Sequence, residues 1–343
     1  MSAAPPVTVL MPVYNGADYL AESIDTILAQ TLPDFEFLII NDGSKDGSQA
    51  ILDDYAARDA RIHVVQQENM GLAATLNKGL AMARADLVAR QDQDDLSAPD
   101  RLARQLAWMQ SHPDCVLLGT RARIWADRTP TDRTHDHPTS NAVLKLDLLF
   151  NNPFVHSSVM LRRRQVLDLG GYSTDRNRQP PEDYELWARI GRSARVANLP
   201  ERLLVYREAA QSMSRTGVNP FQSKLLLLSA ENLALTSGLA APDVHCRDIA
   251  ALVHQAPQAR SPQPDLRAMQ AVLQRCFDRI GREAGTGEER QEFEARCAYW
   301  SDNLRHHYLR QVVQPEWAQP VTAAVWRRAR SVLRKVATFV RGA

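Results

Sequence analysis

The sequence predicts an α/β protein: a mostly parallel sheet with helices on both faces, followed by an α-helical region. Three observations carry this. Short apolar runs alternate with helical stretches over the first ~120 residues. The connections between them are short, as in strand–helix–strand units. Polar clusters follow three of the apolar runs, at the strand ends where such sheets bind ligands.

The elements follow in order. VTVLMPV (7–13) is a first strand, and a helical stretch runs from Ala17 to about Gln30. FEFLIIN (35–41) is a second strand, followed by a helix through SQAILDDYAARD. IHVVQ (62–66) leads into GLAATLNKGLAMAR, and DLVAR (86–90) leads into APDRLARQLAWMQ. CVLLG (115–119) is a fifth strand. From about 120 to 215 the pattern is irregular, with one clear helix start at PPEDYELWARIG. From about 220 to 313 it is helical, in four segments, with loops at APQARSPQP and GTG. The expected organisation is residues 1–215 for the α/β unit, 216–320 for the helical region and 321–343 for a basic terminal helix.

Composition narrows the function. Hydrophobic residues make up 44% and charged ones 24%, enough for a sizeable core. Six of the 41 Lys and Arg lie from Trp317 onward with no acid, leaving 35 against 40 acids in the rest. Such a body is no nucleic-acid binder. The four cysteines form no CxxC pair, which excludes a zinc pattern and a dense disulfide framework. MSAAPPVTVLMPVYN lacks a cationic stretch before a long apolar run, so no signal peptide is expected. No apolar run reaches the ~18 residues of a membrane span. A reducing cytosol is the expected compartment.

Two strand ends and one helix start carry candidate chemistry. QDQDD crowds Asp92, Asp94 and Asp95 into four positions, where like charges repel. A hard divalent cation, which takes oxygen ligands, would offset that cost. The same residues also suit a strand end and a helix cap, with Pro99 placed for a first turn. In NDGSKDGS, Asp42 comes straight off a buried strand and can accept hydrogen bonds from a nucleoside. Asp46 and Ser48 there suit a helix cap equally well. Glu182 and Asp183 open a helix, where acids offset the dipole as well as serving chemistry.

Four segments together resemble a known family. VTVLMPVYNGADYLAESIDTILAQT, FEFLIINDGSKDGS, ENMGLAATLNKGLAMARADLVARQDQDD and PEDYELWARI come in the order and spacing of family 2 glycosyltransferases with the GT-A fold. The resemblance spans about residues 7–215 and looks most like the bacterial enzymes of surface-polysaccharide synthesis. It implies that Pro12, Val13, Tyr14 and Asp42 hold the nucleotide base. Gly71 and Lys78 would lie near the ribose and diphosphate. Asp92 and Asp94 match an Asp-x-Asp element, with Asp92 near the ribose and both on a Mn²⁺ or Mg²⁺ ion, and Asp95 helping. Glu182 and Asp183 match an acceptor-side acid pair, with Asp183 as catalytic base. His156, beside apolar residues, is either structural or in touch with acceptor or diphosphate. His135 and His137, in HDH, read as a solvated loop.

One departure stands out. Many relatives continue Tyr-Arg-x-His; here Tyr206-Arg207-Glu208 is followed by Ala209. Arg207 or Arg215 is expected to supply the missing positive charge. In the tail, apolar residues at helical spacing from Val325 to Val340 alternate with Arg327, Arg328, Arg330, Arg334, Lys335 and Arg341. Such a helix suits the surface of an anionic membrane.

The resulting expectation is a cytosolic, metal-dependent, inverting glycosyltransferase, peripheral on the inner face of the cell membrane. It moves a sugar from a nucleotide-sugar, UDP-linked, to a glycan or lipid-linked acceptor. Two alternatives remain: a nucleotidyltransferase that makes a nucleotide-sugar, and a non-catalytic relative that binds nucleotide or glycan.

Overall fold

The computed structural model describes residues 4–208 and 221–313. Its strands β1 (Val7–Val13), β2 (Glu36–Asn41), β3 (Ile62–Gln66) and β4 (Leu87–Arg90) run parallel in the order β3-β2-β1-β4. Helices α1 (Ala17–Leu28), α2 (Ser48–Arg58) and α3 (Leu72–Met82) connect them. Every residue of β1, β2 and β4 is buried, because both faces of the sheet are covered. The period-2 alternation of a strand divides the apolar residues between two cores. Leu10, Leu38 and Ile40 face one core, with Leu76, Leu80 and Trp187. Val9, Met11 and Ile39 face the other, with Leu20, Ile24 and Leu52.

The region expected to be irregular holds the second half of the sheet. After the two-residue strand β5 (Leu96–Ser97) and helix α4 (Arg101–Ser111) come β6 (Cys115–Ala126) and β7 (Thr129–His135). Next are α5 (Asn141–Asp147), β8 (Met160–Arg162), α6 (Arg163–Asp168), α7 (Glu182–Ser193) and β9 (Arg195–Glu208). The full order is β3-β2-β1-β4-β8-β6-β9-β5, with β7 on β6. β8 is antiparallel to both of its neighbours, and β6 and β9 are parallel.

β9 escapes a sequence reading because Pro200 and Glu201 interrupt it. Its register steps from Leu199 opposite Thr120 to Arg202 opposite Arg121. The proline, which has no N–H to give, is passed by this irregularity. β9 also pairs antiparallel with β5, which brings the end of the sheet back to the segment just after β4.

The helices α8 (Gln222–Ser237), α9 (Val244–Val253), α10 (Leu266–Gly281) and α11 (Glu288–Tyr308) match the four expected segments. Their core includes α5 and the turn after it: Val143, Leu146 and Phe150 pack with Leu233, Ile249, Leu273 and Trp300. The Trp300 indole N–H donates to Asp147 at 3.1 Å. The helical region is thus seated on the α/β unit through a helix that the chain supplies long before it. Ala209, Arg215 and the basic tail lie outside the described residues. Among the described residues, no helix is long and apolar enough to cross a membrane.

Candidate active site

A cleft of about 1040 Å³ opens beyond the carboxyl ends of β1, β2 and β4. Of the residues expected at the site, Pro12, Val13, Tyr14, Asp42, Gly71, Asp92, Asp94, Asp95, His156, Glu182, Asp183 and Arg207 all line it. Lys78 does not; it lies in the second half of α3, beyond the turn that begins at Gly71.

At one end, the loops after β1 and β2 are locked together. Asp46 accepts from the Ser48 and Ala17 amides, each at 3.0 Å, so one carboxylate serves the starts of both α2 and α1. Asp42 is buried and takes three hydrogen bonds: from Gln67 Nε2 at 2.7 Å, and from the amides of Met70 at 2.8 Å and Gly71 at 3.0 Å. It fixes the loop after β3 while still reaching the cleft. Gly43 beside it has φ +77°, and a Cβ there would sit 2.8 Å from the Asn69 nitrogen, so glycine is required. Tyr14 is 49% exposed, a free aromatic face at the cleft. Gln93 ties it to the acid loop, accepting from the Tyr14 amide at 2.9 Å and donating to its carbonyl at 3.2 Å.

The acid loop rests on buried groups that the sequence gives no sign of. Gln91 is fully buried; its Nε2 donates to the Asp95 carbonyl at 2.8 Å, and its Oε1 accepts from Ser97 and Arg101, both at 2.8 Å. Arg101 is buried on neutral partners alone, and burial lowers it to about 9. Arg90, 2% exposed, pairs with Asp92 at 2.7 Å. Its charge also favours ionisation of Asp94 and Glu182, so this one cation serves acids on two segments.

The three aspartates have different surroundings. Asp92 is held by Arg90. Asp94 is raised to about 6, first by burial and then by Asp92; its own backbone amide donates to it, and among the described residues no other residue does. Asp95 is buried with both oxygens engaged, one by Ser157 and one by the Arg207 amide at 2.8 Å. Its position braces β9 against the acid loop and leaves Asp94 as the open carboxylate. Among the described residues, no group of three or more His, Cys, Asp or Glu converges on one point. The set nevertheless fits a hard cation: a half-buried carboxylate held only by its own backbone amide, and lifted by a second acid, is relieved by positive charge.

Arg207 is 1% exposed, lies 4.6 Å over the Tyr19 ring and pairs with Glu22 at 2.9 Å. Among the described residues its Nε and Nη1 have no hydrogen-bond partner. It therefore brings positive charge to the cleft wall from a packed position.

The far wall is the start of α7. Asp183 accepts from Asn152 Nδ2 and from the Tyr184 amide, both at 2.7 Å. Burial, and then Glu182 beside it, raise Asp183 to about 7. Glu182 is itself raised, chiefly by burial. His156 meets the Tyr172 hydroxyl at 3.0 Å and the Trp187 ring edge-on at 5.7 Å. Burial, and then Arg90, hold it well below its ordinary range, so it is a neutral, packed imidazole.

One expectation is corrected. His135 and His137 are not a solvated loop: both line the cleft, and their rings stack 5.4 Å apart. Residues two apart in extended chain share a face, which was the available signal. Asp136, between them, is exposed and faces Arg202 instead.

Known proteins match both the sequence and the fold. Residues 8–170 match the family described as Glycosyl transferase family 2. The amylovoran biosynthesis glycosyltransferase AmsE of Erwinia amylovora is 32% identical over 225 residues, 64% of this chain and 83% of that one. The O-antigen biosynthesis glycosyltransferase WbnJ of Escherichia coli is 32% identical over 216 residues, 62% of this chain and 83% of that one. Among solved structures, S. aureus TarS 1–349 in complex with UDP-GlcNAc superposes with TM-score 0.57 at 17% identity, over 89% of this chain and 90% of that one. Mannosyltransferase PcManGT from Pyrobaculum calidifontis, in complex with GDP-Man and Mn²⁺, gives TM-score 0.52 at 19% identity, over 93% and 89%. The chain belongs to glycosyl transferase family 2 and has the GT-A fold.

Proposed function

We propose that this glycosyltransferase is metal-dependent and inverting, and that it moves a sugar from a UDP-linked donor to a glycan or lipid-linked acceptor in surface-polysaccharide synthesis. The observation that carries the reading is one cleft with two separate acid sets. One contains an open carboxylate, Asp94, beside Asp92; the other contains Asp183, raised to about 7. The TarS and PcManGT structures hold nucleotide-sugars, and AmsE and WbnJ bear polysaccharide-synthesis names, which supports the donor and product classes.

The roles follow from position. Pro12, Val13 and Tyr14 offer an apolar and aromatic face to the base, and Asp42 offers a fixed acceptor beside Gly71. Asp94 and Asp92 would hold Mn²⁺ or Mg²⁺, which when bound offsets the charge gathering on the leaving diphosphate. Arg207 and Arg90 add fixed positive charge. Asp183, ionised, takes the proton of the acceptor hydroxyl. That oxygen forms a bond to the anomeric carbon on the face opposite the diphosphate, whose C–O bond breaks with its electron pair. One displacement inverts the anomeric centre. A positioned base of this kind contributes about 10²–10⁴-fold. The basic tail, outside the described residues, would meet anionic lipid; vesicle cosedimentation that survives deletion of 321–343 would refute this.

The test is calorimetric titration of UDP and GDP, with and without Mn²⁺, into wild type and Asp94→Asn. Metal-dependent UDP binding that the variant loses is the expected result. Failure of both nucleotides to bind wild type under every condition would overturn the reading.

A further inference from the structure

The cleft has a second ring-lined end. His135 and His137 lie 13° from parallel, and Tyr206 meets His135 edge-on at 5.3 Å. All three line the cleft that holds Asp183, together with Phe154 and Val155. In the order of strands, the acid loop off β4 stands between them and Tyr14: β1 lies on one side of β4, and β6, with β7 and β9, lies on the other.

The two imidazoles stack on each other, and two ion pairs close beside them. Asp136 takes both arms of Arg202, at 2.8 and 2.7 Å. Glu208 takes both arms of Arg133, at 3.0 and 2.6 Å. Arg121 Nε reaches the His137 carbonyl at 3.3 Å. Burial lowers both imidazoles, His137 to about 4 with His135 the next cause, so the two rings are neutral at neutral pH. A metal role lacks support, since among the described residues no ligand group forms there.

A diphosphate would need positive charge, and among the described residues neither imidazole supplies it at neutral pH. The nucleobase already has Tyr14 and Asp42 at the opposite end. Flat, neutral rings of fixed orientation suit the apolar C–H face of a sugar ring. We propose that His135, His137 and Tyr206 form the platform for the terminal sugar of the acceptor, and that this sugar is an uncharged pyranose. The proposal rests on the glycosyltransferase reading above and adds the acceptor's chemical class to it.

The experiment loads the full chain with UDP and Mn²⁺ and follows the imidazole resonances by NMR. The probes are methyl β-glucopyranoside, methyl β-galactopyranoside and the methyl glycoside of N-acetylglucosamine, with methyl β-glucuronide as the charged comparison. At least one neutral glycoside is expected to shift the His135 and His137 resonances and to bind more tightly than the glucuronide. His137→Ala should weaken that glycoside by about threefold to tenfold, and His137→Phe should restore most of the loss. UDP affinity should stay unchanged in both variants. The proposal is overturned if the glucuronide binds more tightly, or if no neutral glycoside shifts the rings while UDP still binds. It is also overturned if His137→Ala weakens UDP and glycoside together. Absence of UDP binding in wild type would instead overturn the glycosyltransferase reading itself.

Discussion

Asn152 donates its side-chain amide to Asp183 at 2.7 Å, on the carboxylate oxygen that the Tyr184 amide does not use. Both bonds favour the ionised acid, while burial and Glu182 oppose it and leave it near 7. Such a group is half-ionised at neutral pH and can both take and release a proton. Asp183→Asn should lower transfer by about 10²–10⁴-fold. UDP affinity should be unaffected, as calorimetry would show.

The same pair fixes a pH profile. Asp183 loses its base form as pH falls through about 7, so transfer should fall on the acid side. Asn152→Ala removes one bond to the carboxylate, so its pKa must rise and the acid limb must move to higher pH. The check is kcat/KM between pH 5.5 and 9. A limb that stays in place, or moves down, would refute the assignment of Asp183 as base.

Asp94 should cost stability. It is raised from 3.8 to about 6. Between those values the folded chain holds the proton more tightly than the unfolded chain, so stability falls as pH rises and the full cost stands above 6. Asp94→Asn removes the charge. In EDTA at pH 7.5 the variant should melt about 2 °C or more above wild type, with the gap closing toward pH 4. Differential scanning calorimetry at the two pH values decides; equal melting at both would show that the carboxylate is not strained.

Gly43→Ala tests how Asp42 is held. The new Cβ meets the Asn69 nitrogen in a left-handed backbone, so the loop must shift. The expected loss is about 1–3 kcal/mol in urea denaturation, with weaker UDP binding because Asp42 moves with the turn. Unchanged stability and affinity together would refute this.

Arg90→Ala should be more damaging than Arg90→Lys. The truncation leaves a core void and takes the cation from Asp92 and Glu182, at a cost of about 3 kcal/mol or more. Lysine keeps the charge but not the fork to Gln91 and Asp92. Denaturation midpoints of the two variants would rank them.

Much of the fold was legible because β1 to β4 are mostly apolar runs separated by helical stretches. VTVLMPV became β1 residue for residue. β9 was not legible, because RVANLPERLLVYRE carries a proline and five charged residues, and its pairing with β6 is long-range. The acids and the Asp42 turn were legible as strand-end clusters. Arg90, Gln91 and Arg101 were not: buried Arg and Gln run against the usual rule, and only the acid loop that they support explains their place. His135 and His137 were legible in principle, but their shared face depends on a strand that the sequence did not announce.

Asp95 joins the acid loop to Arg207 across 112 positions of chain. The family match ends at residue 170, yet β9, which supplies that contact, begins at Arg195. A chimaera cut at the end of the matched segment would therefore carry the acidic loop away from the strand that seats it. Exchange between relatives should succeed only when the crossover falls after Glu208. Donor chemistry and the later half of the sheet would then be inherited as one piece.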